Sequence, residues 1–449
     1  MTVNTTAVKR LPQDPGPAAW NELLPKRTPY PSLQKALNAD WVVIGAGFTG
    51  LSAALRLIEL NPKDTVVVLE ATGIAEGPAG RNSGFMIDLP HVLTSSDYSG
   101  DAAKDIIDIQ LNRAGIDYAM QAKERFSLSD EAITLSGKIN GAITAKGESH
   151  NTDYARYLTD MGESFERLDQ SAMHRITGSQ AYIDGIFTPG TAMIQPAMYI
   201  RSLAAGIAEM NVQLYEQTPV MELASDDGNW LVKTERGRVS CANVILAVNG
   251  HLESFGFCKR QLIHVHTYAS MTEKLTPKQI QNLGGDSQWA ITPADPMGTT
   301  VRRICGIGGD RLIIRNRATY NPTLTVNESR INSISRTHDQ SFQDRFPMLS
   351  DVRMAYRWGG RLCLSRNDVP VFGKVEPGLI AACCQNGLGT AKGTIAGKLA
   401  AELGCGHDSA LLDDLAAYPM PTRLPIEPLA SMGANAFIRL GEWRAGKEL

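Results

Sequence analysis

The chain is poor in the features that most quickly classify a protein. No CxxC pair occurs, and its seven cysteines, Cys241, Cys258, Cys305, Cys363, Cys383, Cys384 and Cys405, are odd in number and irregular in spacing. That pattern argues against a disulfide framework or a zinc knuckle, so no metal site is expected and the thiols read as buried small hydrophobes in a reducing compartment. No run approaches the about 18 apolar residues of a membrane span. The opening MTVNTTAVKRLPQDPGPAAW has no apolar core of a secretory signal. An excess of charge is also missing: 44 basic against 47 acidic residues leave a formal net charge of -3, unlike a dedicated nucleic-acid binder. There is no internal repeat and no low-complexity tract. By elimination the expectation is a soluble cytoplasmic protein with no nucleic-acid partner and no membrane span.

Glycine, in contrast, is abundant at 41 residues. Trp41-Val42-Val43-Ile44 reads as a short buried strand. Gly45-Ala46-Gly47-Phe48-Thr49-Gly50 follows, then apolar residues at 51, 54, 55 and 58 at helical spacing, with Pro62 as the stop. Thr65 to Glu70 reads as a second buried strand. Strand, glycine turn, helix and strand make a βαβ unit with a parallel pair. In this context GxGxxG carries chemistry. Gly45 permits the tight turn, Gly47 lets backbone approach a diphosphate, and Gly50 allows close helix–strand packing. The helix N-terminus offers N–H groups and partial positive charge to phosphates. Glu70, twenty residues past Gly50, would accept from ribose hydroxyls and repel a 2′-phosphate, which disfavours NADP.

Further along, 100–128 and 192–210 carry helical periodicity. Val212–Tyr215, Val220–Leu223, Trp230–Thr234 and Val244–Val248 read as strands, the last closed by Asn249-Gly250. Gln261–Met271 and Leu312–Arg317 alternate. Leu379–Cys384 is a buried strand, followed by a glycine turn and a helix to about Leu403. Parallel signals at both ends with antiparallel ones between predict a nucleotide domain of discontinuous segments with a second domain inserted. Residues 1–39 read as a surface arm, and the proline-rich stretch after Pro419 as an irregular tail.

Glu70-Ala71 followed by Gly80-Arg81-Asn82-Ser83-Gly84-Phe85 resembles the FAD-dependent D-amino-acid oxidase/glycine oxidase superfamily, in which a G-A-S-G-R-N-G-G loop follows the second strand. Gly77-Pro78-Ala79 departs from its first small residues. The likeness is greatest to the gamma-glutamylputrescine oxidase branch. Asp351-Val352 with Tyr356-Arg357-Trp358-Gly359-Gly360, Leu364-Ser365-Arg366 with Pro370, and Asn386-Gly387-Leu388-Gly389 are similar to segments of that branch. The resemblance covers roughly residues 20–445, weakest over 90–190.

It implies an α/β plus α+β fold: a Rossmann-like FAD-binding domain (40–95, 165–255 and 358–418) with an inserted, mostly antiparallel substrate domain (96–164 and 256–357), flanked by the arm 1–39 and the tail 419–449. The FAD contacts it implies are Gly45, Gly47, Phe48, Thr49, Gly50, Glu70, Ala71, Arg81, Asn82, Ser83, Gly84, Val220 beside the adenine, Asn249, Gly250, and Asn386, Gly387, Leu388, Gly389 and Thr390 at a helix N-terminus facing the flavin pyrimidine edge. The alternative for 385–403 is a glycine cap on a small-residue packing helix. The implied reaction is oxidation of a small-molecule amine to an imine, which water hydrolyses to a carbonyl and a free amine. Oxygen would be the acceptor, giving hydrogen peroxide. Two other readings stand beside it: a dehydrogenase of a secondary amine or imino acid passing electrons to a quinone or carrier, and a non-catalytic flavin-binding subunit.

The residues proposed for the chemistry have competing readings. His264, His266 and Tyr268 share one face of a strand; the two histidines either tune the amine's protonation or are ordinary strand polar groups. Tyr356 and Trp358 either cage the amine or pack in the core. Sarcosine-oxidase-like relatives place a Lys after the C-terminal turn; Ala391 stands there, with Lys392 one position late. Arg302, Arg303, Arg315 and Arg361 are substitutes for carboxylate recognition, read as surface charges. Cys363 lies near where some relatives attach FAD covalently, but the branch resembled implies non-covalent FAD.

Overall fold

The computed structural model describes residues 4–90, 102–226 and 228–449. The βαβ unit forms where its pattern puts it. Strand Val66–Leu69 lies parallel to the end of strand Ala36–Ile44, with Trp41 opposite Val66 and Ile44 opposite Leu69. All eight paired residues are buried, because a parallel strand is covered on both faces. Val43, Val66 and Val68 pack towards the helices Phe48–Leu60, Pro196–Ala208 and Ala391–Cys405. Val42, Val67 and Leu69 pack towards a second layer that includes Leu223, Trp230 and Val239.

The nine-stranded sheet gathers distant pieces of the chain. Gln213–Tyr215 adds beside Val66–Leu69, and Arg238–Leu246 adds in parallel on the other side of Ala36–Ile44. The upper half of Arg238–Leu246 pairs with Leu379–Cys383, again in parallel. The ends of these strands therefore collect turns from residues 45–50, 70–73, 247–250 and 384–390 along one edge.

The second sheet has eight strands, in the order Met354–Leu364, Ile263–Thr272, Arg311–Tyr320, Thr300–Ile304, Trp289–Pro293, Lys138–Ala142, Asp184–Thr188 and Glu166–Asp169. Every pairing is antiparallel except Trp289–Pro293 with Lys138–Ala142. Helix Glu328–Arg345 packs on it. A small sheet of Phe85–Met86, Ala192–Ile194 and Ile133–Leu135 joins the two. Among the described residues no helix is long and apolar enough to cross a membrane.

Several expectations are corrected. Of the expected surface arm 1–39, the described part from residue 4 is built into the fold: Asn4–Ala7 pairs with Glu222–Ser225, and Trp20 is fully buried. Residues 166–188 and 358–364 supply strands to the largely antiparallel sheet instead of the nucleotide segments, while the boundary expected at 95/96 lies outside the described residues. The stretch 192–210 opens as a strand before helix Pro196–Ala208. The tail is irregular only through its prolines; past Pro428 the chain forms helix Leu429–Ala445, whose interior has no proline to interrupt it.

Glycines set the closest helix contact. A Cβ on Gly397 would stand 2.0 Å from Thr49 O, and one on Gly393 2.9 Å from Thr49 Oγ1, so helices Phe48–Leu60 and Ala391–Cys405 touch almost backbone to backbone. Gly397→Ala should push the helices apart and lower stability by about 2 kcal/mol or more. Unfolding midpoints test this; a wild-type midpoint would refute it.

Candidate functional site

A cleft of about 270 Å³ opens along the edge where the parallel strands end. Gly45, Gly47, Phe48, Thr49, Glu70, Ala71, Asn82, Ser83, Val220, Asn249, Gly250, Gly387, Gly389 and Thr390 line it together. They come from both ends and the middle of the chain.

The three motif glycines divide their work as the motif suggests. A Cβ on Gly45, where φ is +103°, would meet Ala247 O at 2.7 Å. A Cβ on Gly50 would meet Gly45 O at 1.7 Å, so Gly50 holds the helix against the strand behind the cleft wall. Gly47 meets only Ala79 Cβ at 3.4 Å, leaving room for a ligand to approach its backbone. Neither helix Phe48–Leu60 nor helix Ala391–Cys405 has a side-chain cap at its N-terminus. Six other helices are capped by Thr144, Asp169, Gln195, Thr276, Asn327 and Ser409. Two uncapped, partly positive termini in one cleft suit an anionic group.

Glu70 closes the opposite wall. Its carboxylate accepts from Ala46 N at 2.9 Å and from Thr72 N at 3.0 Å. Burial pushes its pKa up from the usual carboxylate range, against these hydrogen bonds. The turns at the strand ends are tied together: Asn249 Oδ1 accepts from Cys384 N at 3.2 Å, and Asn386 Oδ1 accepts from Ser365 N at 2.7 Å. Asn249, Cys384 and Asn386 take positive φ there, a conformation that asparagine tolerates better than most residues.

The loop after Ala79 is clamped through its carbonyls. Trp358 Nε1 donates to Arg81 O at 3.0 Å, and Trp20 Nε1 donates to Asn82 O at 2.8 Å. Arg81 itself points away from the cleft, donating to Glu76 O, Gly359 O and Gly16 O. Gly84 is covered by Arg302, Asn386 serves the turn, and Leu388 packs with Phe85 and Met193. Thus Gly50, Arg81, Gly84, Asn386 and Leu388 support the cleft from behind rather than line it.

Of the residues considered for chemistry, His264 lines the cleft, while His266, Tyr356 and Trp358 are not among its lining residues. His264 Nε2 meets Glu253 Oε2 at 2.8 Å. His266 is buried with no partner on either ring nitrogen among the described residues, and its pKa is lowered to about 4 by burial and then by Arg361. Trp358 is core, its indole directed at the clamped loop, and Tyr356 lies under the Arg311 guanidinium at 5.6 Å. An amine cage from this pair does not form. His251, unnoticed in the sequence although it directly follows Asn249-Gly250, lines the cleft beside Arg361. Burial lowers its pKa to about 3. Arg10, Leu11 and Pro12 also line the cleft; nothing in their local pattern announces it.

The arginines read as surface charges need correction too. Arg303 is buried, Arg302 and Arg361 are largely withdrawn from solvent, and Arg315 is partly buried. Arg303 pairs with Asp310 at 2.9 Å and Arg361 with Asp14 at 2.7 Å. Arg302 Nη1 donates to Ile194 O at 2.6 Å and to Ser83 O and Gly84 O at 3.3 Å. It lines a second cavity, of about 250 Å³, with Lys138, Trp20, Glu131, Met193 and Ala290. Lys138 is buried, with Nζ on Asn140 Oδ1 and Thr292 Oγ1, and burial lowers its pKa to about 8. Lys392 takes no part in either cavity; it pairs with Asp108 at 3.1 Å. Among the described residues no group of three or more His, Cys, Asp or Glu side chains could hold a metal ion.

Residues 40–403 match the family described as FAD dependent oxidoreductase. The chain belongs to this family. It is 26% identical over 405 residues to the probable oxidoreductase OrdL of Haemophilus influenzae, covering 85% of this chain and 86% of that protein. It is 25% identical over 418 residues to the gamma-glutamylputrescine oxidoreductase of Escherichia coli, covering 91% and 94%. In structure it is similar to glycine oxidase from Geobacillus kaustophilus, with a TM-score of 0.70, 19% identity, and coverage of 87% of this chain and 100% of that one. The fold is therefore of the glycine oxidase type, and the protein is an FAD-dependent oxidoreductase. The cleft fits that cofactor: backbone bare of a Cβ at Gly47, two uncapped helix termini and the Glu70 carboxylate lie along one groove.

Glu70→Gln should weaken FAD binding roughly ten- to a hundred-fold, the cost of exchanging a charged acceptor for a neutral one. Titration of apoprotein by flavin fluorescence quenching measures it. An unchanged Kd would remove Glu70 from the ribose contact.

Proposed function

We propose that the protein oxidises an amine that carries a carboxylate remote from the reacting carbon, with FAD held non-covalently in the cleft and oxygen as the final acceptor, giving hydrogen peroxide. Bound FAD supplies a two-electron acceptor for oxidation of the amine to an imine. The imine is then hydrolysed by water to a carbonyl and a free amine. The observation that carries the substrate reading is the second cavity. Two cationic side chains withdrawn from solvent, Arg302 and Lys138, line it, and Arg302 reaches the carbonyls of Ser83 and Gly84 in the loop that walls the first cleft. A carboxylate is the group best matched to such cations. The relative named gamma-glutamylputrescine oxidoreductase supports the same reading, since a gamma-glutamyl conjugate places its carboxylate far from the free amine.

The residues proposed to hold FAD have distinct tasks. Backbone at Gly45, Gly47, Phe48 and Thr49 would meet the diphosphate, Glu70 and Ala71 the ribose, and Val220 the adenine. Asn82, Ser83, Asn249, Gly250, Gly387, Gly389 and Thr390 would flank the flavin, with Gly50, Arg81, Gly84, Asn386 and Leu388 fixing their positions. The helix terminus at Thr390 would oppose negative charge arising there. Trp20 and Trp358 position the loop. His266, whose pKa is lowered by burial, would hold a neutral imidazole and add no positive charge near an amine that must shed its proton.

The state of Cys363 supports the non-covalent reading. Its thiol is buried beside the Cys384 thiol, and that contact together with burial holds its pKa well above the usual thiol range. A thiolate, the form that attacks, is therefore suppressed. Acid precipitation should leave all flavin in the supernatant; colour retained in the pellet would show a covalent link.

Under anaerobic conditions a gamma-glutamyl-conjugated diamine should bleach the flavin at concentrations where the free diamine does not. Arg302→Met should raise the half-bleaching concentration tenfold or more while full bleaching is still reached. Air should then restore the colour with release of peroxide. Equal response to both amines, or an unaltered response in the variant, would defeat the carboxylate reading. Colour restored only by a quinone would transfer the acceptor role. A properly loaded flavin that no amine reduces would favour the non-catalytic subunit.

A further inference from the structure

The last long helix, Leu429–Ala445, is held firmly yet leaves a wide apolar face uncovered. Its inner side is anchored: Gly441 lies on Met297, Ala445 is buried, and Glu442 pairs with Arg317 at 2.5 Å. Just beyond it, buried Glu448 accepts from Ile143 N at 3.0 Å and from Thr144 N at 2.9 Å. On the outer side Leu429 is 57% exposed, Met432 65%, Leu440 46% and Trp443 77%. Phe437 and, just before the helix, Ile426 extend this face. Six large apolar side chains, each 46–77% exposed, stand together here, where a monomer's surface usually scatters such groups singly.

The spacing identifies the occupant. Residues 429, 432, 436, 440 and 443 form one stripe, disposed symmetrically about position 436. The large side chains stand four and seven residues away on either side, and exposed Ala436 is at the centre with Gly433 beside it. Under a two-fold axis through Ala436, an antiparallel second helix would set Leu429 of one copy against Trp443 of the other, Met432 against Leu440, and Ala436 against itself. The small centre lets two helices approach to the 8–10 Å of ordinary packing, and an isologous contact of this kind is the usual route to a dimer. A bilayer-seated face would instead gain from bulk at its centre. We propose that helix Leu429–Ala445 is the two-fold interface of a homodimer.

Light scattering on the flavin-loaded full chain at tens of micromolar should return twice the chain mass of 48.7 kDa. Ala436→Arg, which sets two charges face to face on the axis, should return a single chain that keeps its flavin. Ala436→Cys should cross-link to a dimer under mild oxidation, whereas the wild type, despite exposed Cys305, should not. Because the cysteine variant changes little, it tests the axis even if the arginine variant fails to fold. A monomeric wild type, a dimer indifferent to Ala436→Arg, or an Ala436→Cys variant that forms no cross-link would overturn the proposal. So would a monomer that sediments with phosphatidylglycerol vesicles, which would assign the face to a bilayer.

Discussion

Two helices far apart in the chain lie against each other because Gly397 gives room to the Thr49 backbone and Gly393 to its side chain. Everything at the cofactor cleft depends on that contact. It aligns the start of helix Phe48–Leu60 with the start of helix Ala391–Cys405, so two partial positive charges converge on one groove. Gly115 repeats the device one layer out, where a Cβ would stand 2.4 Å from Ala391 O. Convergent like charges are unfavourable by themselves and favourable once an anion lies between them. The lack of side-chain caps at these two helices is compatible with the same arrangement, since a capping oxygen would compete with a ligand for the same N–H groups.

The nucleotide half was readable from the chain because its rules are local. A glycine with φ of +103°, a strand buried on both faces and a carboxylate at the next strand end each leave a mark within a few residues. The sheet edge at 384–390 was visible for the same reason. What was not readable depends on contacts between distant segments. Nothing near Trp20 shows that its indole reaches the carbonyl of Asn82, or that Asp14 will neutralise Arg361. A proline-rich opening without periodicity resembles a surface arm until its tryptophan is buried. Likewise, period-two alternation placed Tyr356 and Trp358 on one face correctly, but alternation cannot say whether that face meets a ligand or the core.

The inward arginines show the limit most clearly. An arginine in sequence is best taken as a surface charge, yet Arg302 and Arg303 both turn inward from adjacent, oppositely directed positions of one strand. Arg303 finds Asp310, whereas Arg302 is held by backbone carbonyls and lies over the Trp20 ring at 5.3 Å. No short-range pattern distinguishes the two.

That difference bears on substrate choice. Burial lowers the pKa of Arg302 to about 9 and of Lys138 to about 8. Depressed values mean that the cavity by itself disfavours both positive charges. On the proposed reading, an entering carboxylate would offset this penalty by stabilising the charge that each group already carries. A diamine with no carboxylate would bring further positive charge to the same place and gain nothing. Discrimination between a conjugated and a free diamine then needs no added contact at the reacting carbon. On the reading proposed above, it would rest on two cations placed away from solvent, one of them tied to the loop carbonyls of Ser83 and Gly84.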